Sequence, residues 1–203
     1  LILLIPKHAR LTFKEKYGPY ALVAGASEGM GAAWAETLAK RGLNLVLLAR
    51  RKELLEKHAA SLDRQYNIHA MPVVCDLSDA DIIKQVQEAI GGIKINFLVY
   101  NAVLPYIGSF DGQQMEMLLN MEKVNMSGPM QFAHHFGKAM LAERRGGVVL
   151  MSSIAGFQGS GFLSMYAATK AFNRVLAEGL WYEWKEEGVD VIACCAGATS
   201  TPN

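Results

Sequence analysis

The sequence predicts an α/β fold, a doubly wound parallel sheet with helices on both faces, and three observations predict it. Short apolar runs rich in Val, Leu and Ile recur along the chain without alternating polar residues, the pattern of strands buried on both faces. Helix-like stretches separate these runs, and alternating strand and helix implies right-handed βαβ crossovers. The chain is also large and apolar enough to bury such a sheet: 203 residues, 51% hydrophobic and 19% charged, a balance that excludes a disordered protein.

In order, strands are expected at 20–24, 44–49, 68–74, 95–100, 148–151 and 189–194, and helices at 29–41, 52–65, 80–90, 113–143 and 164–187. No repeat, Pro-rich linker or charge run divides them, so residues 1–203 are read as one domain with an N-terminal arm at 1–18. The apolar start of the arm, residues 1–5, stops at Pro6 and Lys7, far short of the roughly 20 residues that span a bilayer. It is read as a docking arm, with an anchor further upstream left open. Twenty Lys+Arg against 19 Asp+Glu leave a net charge of +1, which excludes the concentrated basic surface that nucleic-acid binding requires. Cys75, Cys194 and Cys195 are too few and wrongly spaced for a disulfide framework or a zinc site. They suit a reducing, cytoplasmic interior.

An open parallel sheet binds ligands beyond the carboxyl ends of its strands, so the residues after each run carry the functional reading. Run 20–24 leads into Gly25-Ala26-Ser27-Glu28-Gly29-Met30-Gly31, which opens a helix. Glycines let the backbone turn tightly and approach a pyrophosphate, and the helix N-terminus attracts its charge. With a strand before, a helix after and a further strand on schedule, this reads as a dinucleotide site rather than an ordinary glycine-rich turn. Run 44–49 leads to Ala49-Arg50-Arg51. A free ribose 2′-hydroxyl is usually held here by an acid, whereas a 2′-phosphate wants a cation. Ala49 brings no carboxylate and Arg50 a planar fork suited to phosphate, which favours NADP(H) over NAD(H). The same arginines also fit a solvated helix start, and Glu28 adds negative charge nearby. Run 68–74 leads to Asp76-Leu77, placed to meet an adenine amino group, although Asp76 before Ser78 is equally good capping chemistry. Run 95–100 leads to Asn101-Ala102-Val103, where a buried Asn most often ties neighbouring strands together.

Run 148–151 is followed by Ser152-Ser153-Ile154-Ala155-Gly156 and then by Tyr166-Ala167-Ala168-Thr169-Lys170. Tyr166 and Lys170 stand at i and i+4 of the expected helix and share a face. A cation beside a phenol favours the phenolate, which makes Tyr166 a usable general acid and base. Ser153, 13 residues before Tyr166, ends its strand where its hydroxyl can hydrogen-bond a substrate carbonyl oxygen. His134 and His135 read as ordinary helix residues, one facing in and one out. No His/Asp/Glu cluster has metal-ligand spacing, so no catalytic metal is expected. Met126, Met130, Met151 and Met165 fall near these segments and can shape an apolar, adaptable pocket.

From Lys16 onward the motifs resemble, in order and spacing, the short-chain dehydrogenase/reductase superfamily, whose fold is a Rossmann-type sheet. The resemblance places the family's glycine motif on Gly25, Gly29 and Gly31, with Ser27 and Met30 as further contacts in that loop. It places the adenine-side Asp on Asp76, the Asn-Ala-Gly motif on Asn101-Ala102-Val103, and the catalytic Asn, Ser, Tyr and Lys on Asn125, Ser153, Tyr166 and Lys170. It implies that Tyr166 exchanges a proton with the substrate oxygen while a nicotinamide exchanges hydride with its carbon, and that Ser153 polarises that oxygen. Lys170 would bind the nicotinamide ribose and tune Tyr166, and Asn125 would hold a water linking Lys170 to solvent. Gly197 and Thr199 correspond to the segment near the carboxamide. Three positions depart from the pattern: Ala24 where Thr is common, Val103 in place of Gly, and Ala196 in place of Pro.

The segments Lys16-Tyr17-Gly18 and Leu48-Ala49-Arg50-Arg51 resemble the steroid and 3-ketoacyl reductase branch. That implies a small-molecule ketone or secondary alcohol of lipophilic character as substrate. The alternative is a non-catalytic NADP(H)-binding sensor or scaffold. The resemblance further implies a homodimer or homotetramer formed through the helices at 113–143 and 164–187, and a closing helix and seventh strand beyond Asn203.

Overall fold

The computed structural model describes residues 11–199. Six parallel strands form one sheet in the order β3-β2-β1-β4-β5-β6. They are β1 (Tyr20–Ala24), β2 (Asn44–Ala49), β3 (Ala70–Val74), β4 (Ile95–Tyr100), β5 (Gly146–Ser153) and β6 (Val189–Ala196). The chain winds outward from β1 to β3 and then returns to lay β4 on the other side of β1. Strand order therefore reverses between β1 and β4, which opens a crevice at their carboxyl ends.

Side-chain alternation builds two cores. Leu22 and Ala24 of β1 face one layer with Tyr100, Val148 and Leu150, covered by α4 (Ile82–Ile90), α6 (Gly128–Glu143) and α7 (Ser164–Trp184). Ala21 and Val23 face the other with Leu45, Leu47 and Val99, covered by α2 (Gly29–Lys40) and α3 (Lys52–Tyr66). All six residues of β4 are buried, which is why such runs show no polar alternation. Pro72 sits in β3, whose outer side has no partner strand among the described residues, so its missing N–H costs no ladder bond.

Two segments differ from the sequence reading. Within the arm, Thr12 and Glu15 form a capping box: Thr12 Oγ1 accepts from the Glu15 N–H at 3.3 Å, and the Glu15 carboxylate accepts from the Thr12 N–H at 2.7 Å. It starts a short helix, α1 (Phe13–Tyr17). The Tyr17 ring packs edge-on against Phe97 at 5.0 Å, and its hydroxyl donates to Asp190 of β6, which also pairs with Lys16. Lys16 and Tyr17 thus clasp the arm to the sheet. Residues 1–5 and 202–203 lie outside the described residues. No helix among the described residues is long and apolar enough to cross a membrane.

The second difference is larger. The helix expected at 113–143 is three pieces: α5 (Met115–Glu122), a π-helical turn at Lys123–Ser127, and α6. Pro129 cannot donate to the preceding turn, and Gly128-Pro129 was the available sequence signal for an interruption. The turn carries Asn125, an example of π-geometry falling at a site of interest.

Candidate active site

A cleft of about 640 Å³ opens at the carboxyl ends of the strands around the point where their order reverses. It brings together Gly25, Ser27, Gly29, Met30, Arg50, Asp76, Leu77, Asn101 and Ala102, with Arg51, Val103 and Leu104 beside them. Gly25 has φ +81°, and a Cβ there would stand 2.8 Å from the Ala102 backbone. Gly31 lies beneath the cleft surface, where a Cβ would overlap the Gly25 carbonyl oxygen. Asn101 Nδ2 donates to that same carbonyl at 3.1 Å, bracing the turn that Ala24 cannot brace with a hydroxyl. Asn101 Oδ1 remains a buried acceptor without a hydrogen-bond partner among the described residues. Glu28 is the N-cap residue of α2, and the first-turn N–H groups of that helix belong to the glycine loop, where a helix N-terminus favours an anion. These donors, the close backbone approach and the unfilled Asn101 acceptor fit a dinucleotide.

The two arginines have different surroundings. Arg51 donates to Ser27 Oγ at 3.1 Å and pairs with Glu28, so the negative charge that Glu28 brings to the loop is met by a cation. Arg50 is exposed on the cleft rim. Asp76 Oδ1 accepts from the Ser78 N–H at 2.9 Å and from its hydroxyl at 2.8 Å. These bonds, the backbone one foremost and aided by the Arg50 charge, hold its carboxyl below the usual range against partial burial. The helix cap expected of Asp76 is not formed, because α4 starts from Asp81; the bonds to Ser78 close a local turn instead, at a residue that also lines the cleft.

Ser153 ends β5 and its Oγ accepts from the Ala155 N–H at 3.2 Å, capping a short 3₁₀ turn at Ile154–Phe157. Strand alternation sends Ser152 the other way: it is buried and donates to the Lys170 carbonyl at 2.7 Å. Tyr166 and Lys170 lie one turn apart on α7, with Nζ 5.7 Å from the Tyr166 ring centroid. Lys170 is only 4% exposed, and Nζ donates to the Met151 carbonyl at 2.9 Å. Burial pushes its pKa down to about 8.

Asn125 is 1% exposed. Its Oδ1 accepts from the Leu104 N–H at 2.8 Å, while Nδ2 donates to the Leu104 carbonyl at 3.0 Å and to Thr169 Oγ1 at 3.3 Å. Thr169 Oγ1 in turn donates to the Tyr166 carbonyl at 2.8 Å. The amide thus ties the loop after β4 to the helix carrying Tyr166. Sequence reasoning missed Thr169, which was visible inside the Tyr–Lys turn. It also missed Leu104, which contributes only backbone and so leaves no residue-type signal.

Gly197 and Thr199 follow β6, exposed and outside the cleft lining, and Thr199 Oγ1 donates to the Gly197 carbonyl at 3.1 Å. Among the four methionines expected to shape a pocket, Met151 belongs to the core at 3% exposure, because its strand position faces the α2–α3 layer.

The short chain dehydrogenase family model matches residues 19–203. A 7β-hydroxysteroid dehydrogenase of Clostridium sardiniense is 33% identical over 192 residues, covering 95% of this chain and 74% of that protein. Very-long-chain 3-oxoacyl-CoA reductase-A of Danio rerio is 30% identical over 178 residues, covering 86% of this chain and 56% of that protein. A solved 7β-hydroxysteroid dehydrogenase structure superposes with a TM-score of 0.90 at 32% identity, over 95% of this chain and 74% of the other. A short-chain dehydrogenase from Sphingobium yanoikuyae in complex with NADPH superposes with a TM-score of 0.86 at 31% identity, over 91% and 72%. With the sheet order, the crevice and the glycine turn in place, these matches show that the chain belongs to the short-chain dehydrogenase family and is an NAD(P)-dependent oxidoreductase.

Proposed function

We propose that the protein interconverts a lipophilic ketone and its secondary alcohol with NADP(H), preferred over NAD(H). The observation that carries this reading is Lys170: an amine held 4% exposed, bonded to a carbonyl and, among the described residues, to no carboxylate, one turn from Tyr166. Such a group is retained against its desolvation cost where its charge serves chemistry. Pyrophosphate is assigned to Gly25, Ser27, Gly29, Met30 and the α2 N-terminus, with Gly31 making the close packing possible. Arg50, with Arg51 alongside, takes the 2′-phosphate, Asp76 and Leu77 flank the adenine, and Asn101 and Ala102 lie along the cofactor. Gly197 and Thr199 take the carboxamide.

NADP(H), when bound, supplies or accepts the hydride. Ser153 Oγ accepts from Ala155, which leaves its own proton to donate to the substrate oxygen. Tyr166 gives that oxygen a proton in reduction and takes it back in oxidation. Lys170 holds the ribose hydroxyls and places positive charge beside the Tyr166 oxygen as negative charge develops there. Asn125 links Lys170 to solvent through a water. The loops after β4 and β5 support a lipophilic substrate: Val103, Ile107 and Phe110 on one and Ile154, Phe157 and Phe162 on the other are exposed. The Gly108 N–H donates to the Phe162 carbonyl at 2.9 Å, joining the two loops. The substrates named for the relatives, a hydroxysteroid and a very-long-chain 3-oxoacyl-CoA, are the two classes proposed. A homodimer or homotetramer through α5–α6 and α7, and a cytoplasmic location, belong to the same reading. Exposed Leu119, Met130 and Val175 on those helices support the assembly, and light scattering that finds only monomer contradicts it.

The test follows NADPH oxidation against a panel of bulky ketones. Turnover is expected, falling by at least roughly 100-fold in Tyr166→Phe. NADPH binding without turnover on any ketone, unaltered by Tyr166→Phe, overturns the enzyme reading in favour of a sensor.

A further inference from the structure

The π-turn that carries Asn125 contains a backbone acceptor that the helix itself cannot satisfy. The Gly128 N–H donates five residues back, to the Lys123 carbonyl. In that register the next carbonyl, Val124, faces residue 129, which is a proline and has no N–H. Tyr100 supplies the missing donor: its hydroxyl donates to the Val124 carbonyl at 2.8 Å. Tyr100 is the last residue of β4, 2% exposed, with its ring edge-on to Phe132 at 5.5 Å. Burial raises its pKa far above the phenol range, so it stays a committed donor. Gly128 makes the approach possible, because a Cβ there would run into the Tyr100 hydroxyl.

The turn is therefore gripped at two consecutive residues. Tyr100 holds Val124, and Leu104, four residues further along the same segment, is held by Asn125 through both its N–H and its carbonyl. Between Tyr100 and Leu104 lie Asn101 and Ala102, which line the cofactor cleft.

We propose that Tyr100 is a positioning residue for the reaction: its buried phenol completes the π-turn that Pro129 leaves short of a donor, and so fixes Asn125 against Leu104 and Thr169 in the proton path to Lys170 and Tyr166. The inference rests on the reading of Asn125 as part of that path. Neither residue spacing nor the cofactor motifs point to Tyr100, since it reads from sequence as one more apolar strand position.

The test uses Tyr100→Phe, which removes one oxygen atom. Hydrogen exchange at the Leu104 amide, the donor to Asn125 Oδ1, is expected to quicken roughly tenfold, with the Phe97 and Leu98 amides unchanged. Turnover is expected to fall roughly five- to tenfold, with the NADPH dissociation constant held within about twofold. The solvent isotope effect on kcat should rise as it does in Asn125→Ala, and the double variant should be no slower than Asn125→Ala alone. Unchanged Leu104 exchange, or losses that multiply in the double variant, overturn the proposal. An Asn125→Ala variant with native turnover overturns the catalytic reading of Asn125 instead, and Leu104 exchange still decides whether Tyr100 fixes that side chain. Should Tyr100→Phe not fold, Gly128→Ala presses on the same hydroxyl from the helix side and is expected to give the same Leu104 signature.

Discussion

Replacing Lys170 by Met is expected to stabilise the protein while abolishing its activity. Burial lowers the Lys170 pKa from 10.5 to about 8, a fall of about 2.5 pH units. At 1.36 kcal/mol per unit this is a cost of about 3 kcal/mol for keeping the ammonium charged in the folded state. The unfolded chain keeps this proton up to about pH 10.5 and the folded chain only up to about pH 8. Between those values the unfolded state binds more protons, so this group's contribution to stability rises with pH across that window and is at its worst below pH 8. Losing the bond to the Met151 carbonyl returns about 1 kcal/mol. Lys170→Met should therefore gain about 2 kcal/mol at pH 7, or about 4–8 °C in Tm for a chain of this size. Urea unfolding of both proteins at pH 7, 8.5 and 10 tests this. The variant's advantage should shrink steadily as pH rises through 8. A difference that stays constant or grows over that range would refute a desolvated cation at this site.

Other variants separate structure from chemistry. Ser152→Ala, which removes the hydroxyl donor that the Lys170 carbonyl has besides its own helix bond, should cost about 1 kcal/mol in unfolding with turnover largely kept. Ser153→Ala should lower kcat by roughly 100-fold while unfolding loses only about 1 kcal/mol, the worth of its cap on the Ala155 N–H. Gly31→Ala should abolish NADPH binding in a fluorescence titration while the far-UV circular dichroism stays native, because its methyl displaces the Gly25 turn. Arg50→Ala should erase the NADPH-over-NADH difference in dissociation constants, and an unaltered ratio contradicts the assignment of Arg50. Cys75, whose thiol burial pushes up to about 12, should escape Ellman's reagent at pH 8 until the protein unfolds, while half-buried Cys194 and Cys195 react first.

The sheet was legible because two-sided burial leaves a plain mark: β4 is six buried residues in a row, and its bounds matched the reading. Gly25, Arg50, Asp76 and Asn101 were legible as a group because a parallel sheet brings its carboxyl ends to one crevice, so strand-end position alone collects them. Contacts made by backbone or across sequence were not legible. Leu104 holds Asn125 with its peptide group, which any residue type would offer. Glu28 looked like a complication until Arg51 came to lie against it. The interruption at residues 123–127 was masked because the apolar pattern runs on through it from Met121 to Phe132. Only Gly128-Pro129 marked it, and its second donor, Tyr100, comes from another element altogether.

In the proposed reaction Tyr166, with Ser153, Lys170 and Asn125, reduces a carbonyl at this crevice. The most direct measurement is label transfer: NADPH with both hydrogens at the nicotinamide C4 replaced by deuterium, incubated with bulky ketones, and the product alcohol weighed by mass spectrometry. The wild type should place one deuterium on the carbinol carbon, and Tyr166→Phe should bind NADPH with nearly the same dissociation constant yet form almost no labelled alcohol. NADPH bound by the wild type with no label reaching any ketone, or Tyr166→Phe transferring label as fast as the wild type, would contradict it.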